Sequence, residues 1–296
     1  MINIKEKFVF YASLTEKYIE ESKDLRSANV PQNLFESMEY SLTAGGKRLR
    51  PALCMAAAEI YGIENKRSLP MALALEMFHT SSLILDDLPS FDNDLMRRGK
   101  PSNHAVFGET MATLAGLALQ AQCIEFPLTQ LKDFPHENLI NAIAIFSQAM
   151  GPSGVCGGQT LDIFTENVKD RRDYVQQVSS LKTGALIRAS VQTGIALGTT
   201  DKVALRKFGD YGTHLGKAFQ IIDDILDVTS TPEELGKTVG KDAEQGKLSY
   251  VAVFGIEEAK KFAENETIAA KQALSGFVDE QNFLMLLPDY LLDRTK

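Results

Sequence analysis

Between Gln220 and Val228 the chain reads QIIDDILDV, a run that is apolar nearly all round a helix except at Asp223, Asp224 and Asp227. A helix of that kind belongs in an interior, so its acids are expected to line an internal cavity rather than a solvated face. Asp223 and Asp227 are four residues apart and share a helical face, with Gln220 three residues before Asp223. Like charges at that spacing repel, and more strongly once desolvated, so a cationic partner is expected there.

The segment LILDDLPSFDND, Leu83 to Asp94, repeats the device with Asp86, Asp87 and Asp92, and Asp94 stands at its edge. Pro89 distorts or ends the helix, which lets the third acid swing back toward the first two. Oxygen-only ligands suit hard Mg²⁺, which keeps waters and takes phosphate oxygens as remaining ligands. Two facing acidic clusters describe a clamp for a diphosphate. One DDxxD alone is more often a solvated acidic face; its apolar setting here changes that reading.

Elsewhere apolar residues recur at three- and four-residue spacing, as in Leu69, Leu73, Met77, Thr80 and Ile84, or Leu181, Ala185, Ile187 and Val191. No sustained alternation of β-branched residues flanks an Asn-Gly or Asp-Gly turn, so the expected fold is all-α. Breaks are expected at Asn29 to Pro31, Gly62 to Asn65, Pro89 to Pro101, Phe134-Pro135, Gly151 to Gly158, Gly198 to Asp201 and Thr229 to Gly246. None is a long Ser/Gly/Pro linker, so one domain, 1–296, is expected.

A net charge of -8 repels nucleic acid and anionic membrane, so an anionic substrate must meet a local basic cluster or a metal. The N-terminus lacks a signal-peptide core, and no apolar run is read as approaching the ~20 residues of a membrane span. Cys54, Cys123 and Cys156 are odd in number and carry no metal or disulfide pattern, which points to a reducing cytoplasm. Three basic groups flank the acids: Gly45 to Pro51 (GGKRLRP), Arg97-Arg98, and Lys237, Lys241 and Lys247 within GKTVGKDAEQGK. Arginine matches phosphate oxygens bidentately.

On GGKRLRP, DDLPSFDND with RRGKP, GGQTLD, the KTG at Lys182 to Gly184, and FQIIDDILD, the chain resembles the trans-isoprenyl diphosphate synthases of the short-chain farnesyl and geranylgeranyl type. The resemblance implies a bundle of about ten or more helices round a deep central cavity, a homodimer, and Mg²⁺ as cofactor, three ions per active site. It implies that Lys47, Arg50, His79 and Arg98 hold the diphosphate of isopentenyl diphosphate. Asp86, Asp92 and Asp223 then ligate Mg²⁺ on the allylic diphosphate, with Asp87, Asp224 and Asp227 in the same motifs, Asp87 and Asp227 among the metal ligands. Arg97, Lys182, Lys237 and Lys247 cover that diphosphate's charge. Thr183 and Gln220 sit beside the developing allylic cation. On its own residues, Phe219 next to Gln220 is a candidate to face the cation, against the commoner reading of an aromatic at helical spacing as core.

The implied chemistry is ionisation, attack by the isopentenyl double bond, and proton loss, with an apolar cavity excluding water. Two positions depart from the family's common pattern: Leu85 stands where His is usual, and Leu117 gives GLAL where GDAL is common. Both resemble the carotenoid-pathway geranylgeranyl branch. Product length is read from the helix before Asp86. At ~1.5 Å rise per residue, Ser81 lies roughly 7.5 Å and Phe78 roughly 12 Å before it. The family's bacterial farnesyl producers place an aromatic at the Ser81 position. With Ser81 open, and Phe78 and Ser82 on the Asp86 face, the C20 geranylgeranyl product is expected, with Phe78 as floor rather than a plain core residue, and Leu117 or a residue of the partner subunit as the alternative floor.

Three rival readings meet obstacles in the residues. Gly236-Lys237-Thr238 lacks the glycine five residues earlier that a nucleotide-binding loop needs, Thr231 standing there. A terpene cyclase needs no second diphosphate site, so GGKRLRP, His79 and Arg98 speak against it. A silent partner subunit is disfavoured by two intact aspartate motifs.

Overall fold

The computed structural model describes residues 3–165, 168–229 and 248–295. Its helices run in chain order α1 (Ile4–Glu21), α2 (Lys23–Ser27), α3 (Gln32–Leu42), α4 (Leu49–Ile60), α5 (Asn65–Asp86), α6 (Asn103–Phe107), α7 (Glu109–Gln130), α8 (His136–Met150), α9 (Val155–Ile163) and α10 (Arg171–Val178). A π-helical turn, Ser179–Gly184, then leads into α11 (Ala185–Gly198) and α12 (Lys202–Thr229). After the next described residues come α13 (Tyr250–Phe254), α14 (Ile256–Leu274), α15 (Phe283–Leu292) and a 3₁₀ turn, Asp293–Thr295.

Local chemistry accounts for several boundaries. The Asn3 side chain accepts from the Lys5 and Glu6 amides at the start of α1, and Asp170 does the same for α10. Pro51 falls in the first turn of α4, where a missing N–H costs little. The expected break at Gly151 to Gly158 is shorter than the glycines suggest: α9 begins at Val155 and takes in Gly157 and Gly158. Close packing rather than a turn explains Gly158, as shown below.

The core is a single apolar cluster. α5 supplies Met71, Leu73, Leu75, Met77 and Phe78, all buried, each worth about 1.5–3 kcal/mol in transfer terms. It packs against α4 and α7, while α11 packs against α4, α8 and α12, and α12 against α14. The all-α expectation holds, with one addition: Met96–Arg97 pairs antiparallel with Lys100–Pro101. Arg98 and Gly99, at φ 53° and 75°, make the left-handed turn that a two-residue hairpin favours.

The stretches Asn65–Asp86 and His136–Ile163 are each long and apolar enough to cross a membrane, which corrects the reading that no run approaches that length. The first is 78% buried as the central core helix, and the second is interrupted between Met150 and Val155. Burial, not composition, is what marks α5 as a core element.

Candidate active site

α5 ends at Asp86, and the chain then folds back so that the Asp92 amide donates to Asp86 O at 2.9 Å and the Asp94 amide to Asp87 O at 3.1 Å. The return at Pro89 is the one expected. Asp86 Oδ1 accepts from Gln159 Nε2 on α9, and Asp86 Oδ2 lies 3.6 Å from Lys182 Nζ. Lys182 also donates to Asp162 Oδ2 at 2.6 Å. Burial alone would lower the Lys182 pKa, but Asp86 and Asp162 outweigh it and hold the ammonium above its ordinary value.

Asp87 turns the other way. It is buried and engaged by Arg97, whose Nε donates at 3.0 Å, and Arg97 Nη2 reaches Asp94 at 3.3 Å. The two expected site residues are thus spent on each other, tying the hairpin to the end of α5. Asp87, expected as a metal ligand, and Arg97, expected to cover the diphosphate's charge, are thus paired with each other.

On α12 the three acids also divide. Asp223 is half-buried, with Lys47 Nζ at 3.7 Å and Arg294 Nη1 at 3.8 Å. Asp224 is buried and accepts from Gln220 Nε2 at 2.8 Å and from the Tyr250 amide at 2.7 Å. It braces Gln220 and the start of α13. Gln220 Oε1 in turn accepts from Thr183 Oγ1 at 2.6 Å. A continuous chain of contacts therefore runs from Asp86 through Lys182 and Thr183 to Gln220 and Asp224, and brings the two acidic motifs to one site. Asp162, Lys182, Thr183, Gln220 and Asp224 line a cavity of ≈ 120 Å³ there. Asp227 is buried in α12. Lys47 Nζ sits 5.4 Å from the centre of the Phe219 ring, a cation–π distance.

The π turn carries Lys182 and Thr183, and it holds its place because α9 comes unusually close. A Cβ on Gly158 would lie 2.1 Å from Lys182 N. One-turn π bulges are common at functional sites, since they re-aim side chains that a regular helix would direct elsewhere.

Of the basic residues in GGKRLRP, Arg48 is not at the site. It is left-handed (φ 51°), buried, and bonded to Glu16, Glu76 and Leu42 O. Arg50 is half-buried, its pKa pushed down to about 10 by burial, with Glu76 acting against that. Its Nε is buried without a hydrogen-bond partner among the described residues. Arg98 Nη1 donates to Gly45 O, and Arg98 Nη2 lies 3.7 Å from Glu76 Oε1. Burial, reinforced by Arg50 and Arg98, holds His79 well below its usual pKa, so its imidazole is neutral.

Along α5, Ser81 and Phe78 are buried, and Phe78 meets Phe146 of α8 edge to face at 6.0 Å. Ser82 Oγ donates to His79 O. Leu117, the alternative floor, is 52% exposed on α7. Leu85 packs against Gly116. Lys237, Lys241 and Lys247 lie outside the described residues.

Sequence reasoning missed Gln159, Asp162, Phe146, Arg294 and Glu76. Gln159 and Asp162 were within reach: three apart on α9, they share a face, a signal the GGQTLD motif contained. Phe146 and Arg294 come from distant segments, and nothing in their own neighbourhoods marks them.

Residues 31–280 match the polyprenyl synthetase family. The chain is 42% identical over 265 residues to the geranylgeranyl diphosphate synthase of Cyanophora paradoxa, covering 89% of this chain and 88% of that protein. It is 44% identical over 271 residues to the dimethylallyltranstransferase of Fischerella ambigua, covering 91% and 78%. The crystal structure of geranylgeranyl pyrophosphate synthetase from Pyrococcus horikoshii superposes with a TM-score of 0.87 at 28% identity, covering 98% and 99%. The fold and site define an all-helical enzyme class built on paired acidic motifs. The chain belongs to the polyprenyl synthetase family.

Proposed function

We propose that this protein is a Mg²⁺-dependent prenyltransferase that condenses isopentenyl diphosphate with an allylic diphosphate, and that its main product is geranylgeranyl diphosphate. The observation that carries the reading is the meeting of two acidic motifs and two separate basic groups at one site, Lys182 beside Asp86 and Lys47 beside Asp223. Relatives about 40% identical, among them that of Cyanophora paradoxa, are named for the C20 product.

The donor set fits Mg²⁺. Asp86, Asp92 and Asp223 offer only carboxylate oxygen, and we place the ligand role on these three, with Asp227 behind them. Hard oxygen donors of this kind suit an ion that takes waters and phosphate oxygens for its remaining ligands. When bound, magnesium would neutralise the departing diphosphate.

The chain's own residues do the rest. Lys182, kept charged by Asp86 and Asp162, faces the leaving oxygens as the allylic C1–O bond breaks. Thr183 and Gln220, hydrogen-bonded to each other, sit beside the developing cation. Lys47, Arg50, Arg98 and neutral His79 hold the second diphosphate so that the double bond of isopentenyl diphosphate forms the new C–C bond at C1. The proton lost in restoring the alkene passes to the leaving diphosphate.

A serine rather than an aromatic at position 81, with the Phe78–Phe146 pair one turn deeper on α5, supports C20 over the C15 farnesyl alternative. Leu114 and Leu117, both exposed and three apart on α7, give an apolar face that fits a homodimer. Three free thiols suit a reducing cytoplasm. Incubation with Mg²⁺, isopentenyl diphosphate and an allylic primer tests the reading: a longer prenyl diphosphate, mainly C20, is expected. No elongation with dimethylallyl, geranyl or farnesyl primers would reject it.

A further inference from the structure

A carboxylate is an odd neighbour for a pocket meant to bind a diphosphate. Glu76 is nonetheless 1% exposed at the foot of the basic group, one helical turn before His79 on α5. Its Oε1 accepts from Arg48 Nη1 at 2.6 Å and lies 3.7 Å from Arg98 Nη2. It is also the main favourable charge acting on Arg50.

Arg48 is a strut. Its Nε is bonded to Glu16 at 2.7 Å and its Nη2 to Leu42 O at 2.8 Å, so all three guanidinium nitrogens are committed. Through Oε1, Glu76 passes that fixed position to Arg98. The opposite edge of Arg98 donates to Gly45 O, and its flat face lies against Gly46, where a Cβ would come within 2.8 Å of Cζ. The guanidinium is gripped on two edges and one face, at the tip of a hairpin only two residues deep. Without such a grip a long side chain on so short a turn would sample many rotamers, and each diphosphate bound would have to order it.

We infer that Glu76 is a positioning residue: through Arg98 it pre-sets the cationic wall for the isopentenyl diphosphate, although its own charge opposes that anion. The inference rests on the function proposed above. It separates from simple charge balance by sign. If Glu76 only offsets buried positive charge, removing its charge should tighten diphosphate binding; if it positions Arg98, binding should weaken.

The test uses Glu76→Gln, Glu76→Asp and Glu16→Gln in the full chain, with steady-state kinetics and calorimetric titration of inorganic pyrophosphate. Glu76→Gln should raise KM for isopentenyl diphosphate about tenfold, with KM for the allylic primer and kcat within about twofold. Glu76→Asp keeps the charge but shortens the reach, and should give a smaller rise on the same substrate alone. It also serves if the Gln variant fails to fold. Glu16→Gln removes one of the three bonds of Arg48 but leaves the Glu76–Arg98 contact in place, and should raise KM for isopentenyl diphosphate less than Glu76→Gln does. Tighter or unaltered binding of isopentenyl diphosphate in folded Glu76 variants overturns the inference, as does an equal rise in Glu16→Gln. Wild-type protein that elongates no primer rejects the functional reading instead, while the pyrophosphate titration still reports on Glu76.

Discussion

Replacing Gly158 by alanine puts the seating of the catalytic turn to a sharp test. The new Cβ would lie 2.1 Å from Lys182 N, 2.5 Å from Lys182 Cα and 2.6 Å from Leu181 C. All three are backbone atoms, so no rotamer change relieves the clash. To reach ordinary contact, α9 and the π turn must part by about 1.3 Å, the gap between 2.1 and 3.4 Å. That shift carries Gln159 and Asp162 away from Asp86 and Lys182. Overpacking of this kind costs about 1–3 kcal/mol, and each kcal/mol lowers Tm by about 2–4 °C in a chain of this size. The kinetic effect should be larger, since a misplacement near 1 Å can cost about 10²-fold. Gly158→Ala is therefore expected to stay folded with native far-UV circular dichroism, to lose a few degrees in Tm, and to lose about 100-fold in kcat. Turnover within threefold of wild type would refute the claim that α9 sets the position of Lys182.

Asp86→Ala and Asp223→Ala should fold normally and lose about 10²-fold or more in kcat, measured at saturating substrate, because each removes a carboxylate assigned to the metal on the leaving group; wild-type-like turnover in either would sink the two-motif clamp. Product profiles should run mainly C20 for wild type and mainly C15 for Ser81→Tyr, while Phe78→Ala and Phe146→Ala should each yield some C25 or longer. An unchanged profile in both phenylalanine variants would place the floor elsewhere.

The parts legible in the sequence were those in which local spacing controls geometry. Asp86 and Asp92 come together because a proline follows a helix end within a few residues. Gln220 and Asp224 bond because they are one helical turn apart. What escaped depended on contacts between distant segments or on backbone sign. Arg48 looks like one more basic residue of GGKRLRP until its left-handed φ turns it into the core. Asp87 looks like Asp86 until Arg97, ten residues on, claims it. Gly158 reads as part of a break because the π turn whose approach calls for a glycine lies more than twenty residues away in the chain. Phe146 meets Phe78 only through the packing of α8.

The central claim is that two diphosphates occupy two separate basic groups at one site, and paired KM measurements on two variants address it directly. Arg98→Ala should raise KM for isopentenyl diphosphate by about tenfold and leave that for the allylic primer within about twofold, while Lys182→Ala should do the reverse. Equal effects on both substrates in both variants would contradict the assignment.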